Sequence, residues 1–277
     1  HTGKVMNIFI EKRTLFLTCA KGLASILVRE LENLGMPSPR EVGPAGVETE
    51  GDGHDAMRLN LLLRTAQRVY YHLHDFQAQH ADDLYQQVNA LPWEDLLLPD
   101  GYFTVHTSVF NDSIRDTRFP SLRCKDAIVD RLRNHYGRRP NTGHEQRGAA
   151  IFLYWQGSRA RIFIDTSGEP LSRRGYRKIP QAAPLQETLA AAILFASGWD
   201  VRTHLVIPMC GSGTLAIEGA LMAMNKAPGL LRPSFAFEHL VGFEAEALKA
   251  LRSGFRGSDD KAPGGVIIAT DIRAEAV

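Results

Sequence analysis

The sequence of 277 residues predicts an α+β region followed by the first part of an α/β unit with a parallel sheet. In the first half, short alternating strands are mixed with longer amphipathic helices. After Glu169 the pattern changes to buried strands separated by apolar helices, which is the order typical of a parallel sheet. The length suits two or three modest domains, since single cores usually run to about 100–200 residues.

The first α+β stretch covers residues 6–76 and suits a small ferredoxin-like unit. Leu23, Leu27 and Leu31 lie at helical spacing, and Gly35 follows as a C-terminal cap, so a helix is expected over 22–34. Its remaining predicted elements are strands at 14–20, near 45–50 and at 68–76, and a helix at 56–66.

The second α+β stretch covers residues 77–168. Strict alternation over 102–110 favours a strand, and the amphipathic pattern over 121–137 favours a long helix that ends at Gly137. The other predicted elements are a helix from Asp82 to the residues before Pro92 and two strands at 149–155 and 160–166, joined by a hairpin turn at 156–158.

The third stretch covers residues 169–277 and has the order helix, strand, helix, strand, at 184–198, 204–210, 212–224 and 265–271. A parallel sheet of two or three strands would leave open edges, so we expect this domain to be incomplete. The connection over 228–264 is unusually long and rich in Gly, Ser and Asp near its end. It is expected to be a mobile excursion outside the packed core.

Composition excludes several classes of protein. The 32 basic and 31 acidic side chains nearly balance, so a nucleic-acid partner would need a local basic patch. Cys19, Cys124 and Cys210 lie far apart without CxxC spacing, which argues against disulfides and zinc and suits a reducing cytoplasm. The start of the chain does not fit a signal peptide, and no apolar run approaches the roughly 20 residues of a membrane span. The histidines have no partners at metal-ligand spacing, so no metal is predicted.

The sharpest local signal is a strand, a glycine turn and a helix in LVIPMCGSGTLAIEGA (205–220). Gly211 and Gly213 allow close approach of a ligand, and the helix N-terminus offers free amides to a carboxylate or phosphate. A P-loop is excluded because no lysine follows the glycines. With Ala216 the turn also fits a dinucleotide-binding pattern, but the next acid at a strand end, Asp271, is far more than about 20 residues away. A purely structural turn remains an alternative.

Longer strings of residues resemble a known family. They are PMCGSGTLAIEGALMA (208–223), NKAPGLLRPSFAFE (225–238), DTSGEPLSRRGYRKIPQAAPLQETLAAAI (165–193), KDAIVDRLRNHYGRRP (125–140) and TCAKGLASILVRELENLG (18–35). Together they are similar to the bacterial 23S ribosomal RNA guanine-N2 methyltransferases that carry a THUMP domain. The resemblance implies a ferredoxin-like element, a THUMP RNA-binding domain and the N-terminal part of a Rossmann-like methyltransferase domain.

The resemblance also implies S-adenosylmethionine as the cofactor and assigns a binding site for it. Asp271 would accept hydrogen bonds from the ribose hydroxyls, although a helix-capping role before Ile272 is an alternative. Pro184 and Thr188 belong to a segment that would close over the cofactor, although Pro184 also suits the first turn of a helix. The complete set of implied cofactor residues is Pro184, Thr188, Pro208, Met209, Gly211, Ser212, Gly213, Thr214, Asp271 and Ile272.

Two departures from the family pattern stand out. The family usually has an aspartate directly before the Pro-Met-Cys-Gly-Ser-Gly-Thr string, where this chain has Ile207, and its loss is expected to remove a polar contact near the cofactor. The family's catalytic motif, Asn or Asp followed by two prolines and an aromatic residue, does not occur before Val277. No catalytic residue is therefore assigned.

Two basic segments are candidates for RNA contact. Residues 113–139 contain eight basic and three acidic side chains, a local excess of five, although the same charges could pair along a solvated helix face. The segment SRRGYRK (172–178) places basic side chains around Tyr176, which suits phosphate contact with stacking but also a flexible basic linker. The predicted RNA-binding residues are Arg115, Arg118, Lys125, Arg138, Arg139, Arg173, Arg174 and Arg177.

The leading hypothesis is therefore methylation of a guanine exocyclic amine in 23S ribosomal RNA. Alternatives are a transfer-RNA guanine methyltransferase, a non-catalytic RNA-binding protein or fragment, and an oxidoreductase that binds a nicotinamide dinucleotide. The target nucleotide and the oligomeric state have no signature in the sequence.

Overall fold

A computed structural model describes residues 5–110, 118–143, 145, 147–177, 184–255 and 264–272. Its strands are β1 (Arg13–Thr18), β2 (Arg40–Glu41), β3 (Gly46–Gly51), β4 (Arg68–Gln77), β5 (Tyr102–Phe110), β6 (Asn141–Thr142), β7 (Ala149–Gln156), β8 (Arg159–Asp165), β9 (Leu205–Ile207) and β10 (Ile267–Ala269). Its α-helices are α1 (Ala24–Asn33), α2 (Gly53–Leu62), α3 (Ala81–Asn89), α4 (Arg118–Tyr136), α5 (Glu187–Ala196), α6 (Thr214–Ala223) and α7 (Ala245–Gly254).

The first eight strands form one continuous sheet in the order β2-β3-β1-β4-β8-β7-β5-β6. Strands β5, β6 and β7 are parallel to one another, and the remaining neighbours are antiparallel. The two predicted α+β stretches meet where β4 pairs with β8, with Tyr71 opposite Ile164. They are therefore joined through backbone hydrogen bonds in the middle of a single sheet.

The main hydrophobic core lies between this sheet and helices α1–α4. Because side chains alternate along a strand, Leu15 and Leu17 of β1 face the helices, as do Leu153 and Trp155 of β7, and all four are fully buried. The amphipathic helix predicted over 121–137 is confirmed as α4, since Ile128, Val129 and Leu132 belong to this core and Tyr136 packs against it.

Most predicted elements are present, with shifted ends. Helix α2 begins at Gly53, before the predicted position 56, because Asp52 caps it: Oδ1 of Asp52 accepts from the amide of Asp55 at 3.0 Å, and the amide of Asp52 donates to Asp55 at 3.2 Å. The predicted hairpin is confirmed, with Gly157 at φ +56° between β7 and β8.

The C-terminal unit contains the predicted parallel pair, with Ile207 of β9 opposite Ala269 of β10. Helix α6 packs against both strands, and α5 packs against α6. Helix α5 begins at Glu187, so Pro184 lies three residues before the helix and not in its first turn.

The prediction that 228–264 is an excursion outside the core is wrong for the described part, 228–255 and 264. Phe235, Phe237 and Leu240 are buried in the main core, because this stretch returns to the N-terminal sheet. The amide of Phe237 donates to the carbonyl of Thr166 at 3.1 Å, and the amide of Val241 donates to that of Leu96 at 3.0 Å. The glycine-rich residues 256–263 lie outside the described ranges.

Among the described residues, no helix is both long and apolar enough to cross a membrane.

Candidate cofactor site

The glycine turn (residues 208–214) connects β9 to α6. Gly211 and Gly213 have φ values of +52° and +76°, in the left-handed region that favours glycine, and the amide of Gly213 donates to the carbonyl of Cys210 at 2.9 Å. Helix α6 begins at Thr214, the last residue of the glycine turn, and the first turn of this helix contains no acidic residue. The free amides at this helix end therefore favour a negatively charged group.

Asp271 lies beside this turn, as the sequence predicts for a cofactor site. Strands β9 and β10 are parallel, so their carboxyl ends lie at the same edge of the sheet. There Oδ2 of Asp271 accepts a hydrogen bond from the amide of Gly211 at 2.9 Å. The next residue, Ile272, is fully exposed. The structure thus brings together a glycine turn and a carboxylate that are sixty positions apart in the chain.

Arg177 also lies at the glycine turn, although the sequence assigns it to RNA. Its guanidinium donates to Oγ of Ser212 at 3.1 Å and to Oγ1 of Thr214 at 3.2 Å. The carboxylate of Glu187 holds the same guanidinium at 3.1 Å. A guanidinium paired with Glu187 is therefore fixed beside the turn, in addition to the amides of α6.

These groups suit a cofactor with a carboxylate at one end and a ribose at the other. A side chain at Gly211 would meet only open space, so the turn leaves room for a ligand. The α6 amides and Arg177 suit a carboxylate, and Asp271 suits a ribose diol. S-adenosylmethionine carries both of these groups, and the residues of the turn fit it.

The remaining predicted cofactor residues differ in their exposure and in their contacts. Pro208 and Met209 are exposed in the glycine turn, and Pro184 is exposed before α5. Thr188 is buried, and its hydroxyl accepts from the side chain of Gln67 at 2.8 Å in the N-terminal region. The Thr188 hydroxyl thus contacts the neighbouring unit.

Ile207, at the position of the family aspartate, is the last residue of β9. It is buried, and its carbonyl accepts from the amide of Thr270 at 3.0 Å. An isoleucine side chain offers no polar contact to a ligand. The departure seen in the sequence therefore lies directly at the strand end that leads into the glycine turn.

The predicted RNA residues of α4 and its end differ in exposure and pairing. Arg118 and Arg139 are exposed and Lys125 is half-buried, whereas Arg138 pairs with Asp100 at 2.8 Å. Arg115 lies outside the described residues. Other basic side chains nearby are engaged within the protein, as in the pairs Arg123–Asp82, Arg131–Glu94 and Arg133–Asp130. Much of the predicted basic excess is therefore neutralised locally.

The second basic segment has two different environments. Arg173 is exposed and pairs with Glu169 at 3.0 Å. Arg174 is buried, with a side-chain exposure of 1%, and it donates to the carbonyls of Leu171 and Arg64 at 2.7 and 2.6 Å. The prediction that Arg174 contacts RNA is corrected on this ground, because its guanidinium is enclosed by protein.

A buried polar cluster links the C-terminal unit to residues that follow α2 in the N-terminal region, and sequence reasoning missed it. Arg174 lies 3.4 Å from the carboxylate of Glu218 on α6, which also accepts from the hydroxyl of Tyr176 at 3.0 Å. Burial and the nearby Glu218 raise the pKa of Tyr176, so its hydroxyl stays protonated as a donor. Arg64 continues the link by donating to the carbonyl of Lys226 at 2.8 Å. A single acid in the otherwise apolar string TLAIEGALMAM was the available signal, because a buried acid needs a partner.

No group of three or more metal-ligand side chains occurs in the described part of the chain.

Three segments of the chain match the models of known protein domains. Residues 174–277 match the model of the RMKL-like methyltransferase domain, residues 14–70 that of the RlmL ferredoxin-like domain, and residues 78–165 that of the THUMP domain. The fold is therefore a ferredoxin-like element and a THUMP domain followed by a methyltransferase domain.

Several proteins are similar to this chain over most of its length. The chain is 43% identical over 241 residues to "Ribosomal RNA large subunit methyltransferase K/L" from Psychromonas ingrahamii, an alignment that covers 86% of this chain and 32% of that protein. Among solved structures, a predicted N6-adenine-specific DNA methylase from Listeria monocytogenes is 32% identical, with a TM-score of 0.85 over 98% of this chain and 71% of that one. SMU.472 in complex with SAH is 30% identical, with a TM-score of 0.84 over 96% of this chain and 70% of that one.

The chain belongs to the family of THUMP-domain methyltransferases that includes the ribosomal RNA large subunit methyltransferases K/L. It spans about a third of the length of the curated relatives that it matches.

Proposed function

We propose that this protein takes part in S-adenosylmethionine-dependent methylation of a guanine exocyclic amine in 23S ribosomal RNA. The observation that carries the proposal is the hydrogen bond from the amide of Gly211 to Asp271, which places a carboxylate beside a glycine turn at the carboxyl edge of parallel strands. The ribosomal RNA substrate is supported by the names of relatives at 42–43% identity, and it implies a cytoplasmic site of action.

The chemistry explains what the chain must supply. The lone pair of a guanine exocyclic amine is delocalised into the ring, so the amine has to be held in line with the methyl group. The base has to leave its stack before it can reach the cofactor. We propose that the described residues bind the cofactor and the RNA. We assign none of them to orienting the amine.

Within the cofactor site, each group has a separate role. Arg177 and the amides of α6 would bind the methionine carboxylate, and Asp271 would bind the ribose diol. Glu187 holds Arg177 in place, since its carboxylate accepts from that guanidinium. We include Arg177 and Glu187 in the site on this ground, and we retain the glycine turn residues that the sequence suggests.

Titration calorimetry with S-adenosylmethionine tests the cofactor site. We expect wild-type protein to bind, and Asp271→Asn to bind about 10- to 100-fold more weakly, because a hydrogen bond to a charged group contributes about 1.5–3 kcal/mol. Asp200→Asn is the matched control, since Asp200 is an exposed aspartate paired with Arg202 at 2.7 Å. Absence of heat with wild-type protein would overturn the proposal, and binding of a nicotinamide dinucleotide in its place would favour an oxidoreductase.

A second candidate, a non-catalytic RNA-binding protein, is favoured by Ile207. It predicts RNA binding without measurable S-adenosylmethionine binding, and recovery of cofactor binding in Ile207→Asp would trace the loss to that position. A transfer RNA or a DNA substrate is a further alternative, the latter because a relative at 32% identity is named as a DNA methylase. Transfer of labelled methyl groups by the full-length protein to 23S ribosomal RNA, transfer RNA and DNA distinguishes these substrates.

A further inference from the structure

The α2–β4 loop (residues 63–67) is fixed firmly within the N-terminal region. The buried carboxylate of Glu30 on α1 accepts from the amides of Arg64 and Thr65 at 2.7 and 3.1 Å, and from the hydroxyl of Thr65 at 2.6 Å. At the end of the loop, the amide of Gln67 donates to the carbonyl of the last residue of β1 at 2.6 Å. The loop is therefore held by both α1 and the large sheet.

The side chain of Gln67 reaches from this loop to the start of α5. Its amide nitrogen donates to the hydroxyl of Thr188 at 2.8 Å and to the side-chain carbonyl of Gln186 at 3.1 Å. A carboxamide nitrogen carries two hydrogens, so both are used here. Thr188 is only 1% exposed, which shields the shorter hydrogen bond from water. Gln67 thus connects the N-terminal region to the first turn of α5.

Helix α5 has no side-chain cap of its own. Gln186 is its N-cap residue, and no side chain there accepts from the first amides of the helix. Helix α2, in contrast, begins with a complete capping box. A cap fixes the start of a helix through local contacts, so a helix start without one depends on its neighbours. The two hydrogen bonds from Gln67 are contacts of this kind.

The first turn of α5 carries the acid of the cofactor site. Glu187 is the residue between the two that Gln67 contacts, and its carboxylate accepts from Nε and Nη2 of Arg177 at 3.2 and 3.1 Å. Arg177 in turn donates to Ser212 and Thr214 of the glycine turn. A displacement of the first turn of α5 would therefore move the carboxylate that orients this guanidinium.

The α2–β4 loop also holds the arginine side of this ion pair. Arg174, three residues before Arg177, donates to the carbonyl of Arg64 at 2.6 Å. Both members of the pair are thus tied to the same loop, the arginine through Arg174 and the acid through Gln67. Arg174 is an ion-pair partner that is fully buried, whereas Gln67 is uncharged and half-buried. Gln67 can therefore be replaced without leaving a charge buried alone.

We propose that Gln67 is a positioning residue of the cofactor site. It holds the first turn of α5 against the N-terminal region and so fixes the Glu187 carboxylate that directs Arg177 to the glycine turn. The inference rests on the proposed function, in which Arg177 binds the methionine carboxylate. It gives a residue of the ferredoxin-like element a role in cofactor binding, whereas the groups that would contact the cofactor all belong to the C-terminal unit.

Calorimetry with two ligands tests the role of Gln67. Gln67→Met removes both hydrogen bonds and keeps the length of the side chain, and Gln87→Met, at an exposed glutamine of α3, is the matched control. We expect Gln67→Met to bind S-adenosylmethionine about 3- to 10-fold more weakly, as the loss of neutral hydrogen bonds predicts. 5′-Methylthioadenosine has the same adenine and ribose but no carboxylate, so its affinity should stay unchanged. Gln87→Met should bind both ligands as wild-type protein does.

Two results of the calorimetry would overturn the inference. Wild-type affinity of Gln67→Met for S-adenosylmethionine would mean that Arg177 is fixed without Gln67. Equal weakening of both ligands would mean that Gln67 supports the C-terminal unit as a whole and does not act through Arg177. The thermal unfolding transitions of both variants verify that they are folded.

Hydrogen–deuterium exchange without ligand separates this inference from the proposed function. Ala190 has the first amide of α5 that is bonded within the helix, to the carbonyl of Gln186 at 2.9 Å. In Gln67→Met the amides from Ala190 onward should exchange faster than in wild-type protein, and in Gln87→Met they should not. Unaltered exchange in Gln67→Met would overturn the inference whether or not the cofactor binds. If wild-type protein binds no S-adenosylmethionine, the proposed function fails, while the exchange still decides whether Gln67 fixes α5.

Discussion

The eight-stranded sheet and the two-stranded sheet differ in how they are stabilised. In the large sheet the core-facing residues, such as Leu153 of β7, are fully buried against helices. In the small sheet the middle residues of both strands, Val206 and Ile268, are 62% and 46% exposed. The C-terminal unit meets the N-terminal region partly through apolar residues such as Phe235 and Phe237 and partly through a buried polar cluster that contains Arg174 and Glu218. We therefore expect the loss of a buried charge in the polar cluster to lower the free energy of unfolding, as the loss of a buried apolar group does in the large sheet.

The largest effect on stability is expected for Arg174→Ala. Removing the guanidinium leaves the carboxylate of Glu218 buried without its cationic partner, so we expect the free energy of unfolding to fall by about 4 kcal/mol. Urea denaturation measures the change. Arg202→Ala, at an exposed ion pair, should alter stability by less than about 0.5 kcal/mol.

A double variant decides whether the charges or the packing matter. Arg174→Met combined with Glu218→Leu should recover most of the loss, because apolar residues of similar volume often replace a buried ion pair without cost. If the double variant is as unstable as Arg174→Ala, the hydrogen bonds of Arg174 to the carbonyls of Leu171 and Arg64 are the essential contacts.

The next effect compares the two sheets directly. Leu153→Ala should lower the free energy of unfolding by about 3 kcal/mol, because it leaves a cavity in the core. Val206→Ala, on the exposed side of β9, should cost less than about 0.5 kcal/mol. Equal losses at the two positions would mean that Val206 is covered in solution, and the contrast between the sheets would then be wrong.

The sequence predicts the local elements of both regions well, but not how they assemble. Periodicity is a local property, so the helix over 121–137 and the strands of the hairpin could be recognised from nearby residues. The pairing of β4 with β8 joins segments about ninety residues apart, for which no local pattern exists. Likewise, a polar composition suggested an excursion after 228, yet Phe235 and Phe237 anchor that stretch in the core.

In the candidate site, too, the sequence predicts local features but not how distant residues come together. The glycine turn and Asp271 could be found because their residue types are tied to backbone conformation and to strand ends. Arg173, Arg174 and Arg177 carry the same charge within five residues, yet one is exposed, one is buried and one contacts the glycine turn. Only the fold decides which direction each side chain takes, so a basic run predicts charge and not its role.

Thiol reactivity compares the buried N-terminal core with the glycine turn, and it requires no substitution. Burial raises the pKa of Cys19 to about 11, with a further contribution from Glu41, and that of Cys124 to about 12. Both thiols belong to the N-terminal core and should stay protonated and unreactive at about pH 8. Cys210 is half-buried in the glycine turn, so native protein should react with a disulfide reagent at this position alone, whereas unfolded protein should react at all three cysteines. Because Cys210 adjoins Gly211, S-adenosylmethionine should slow its reaction; an unaltered rate at saturating cofactor would place the ligand away from the turn.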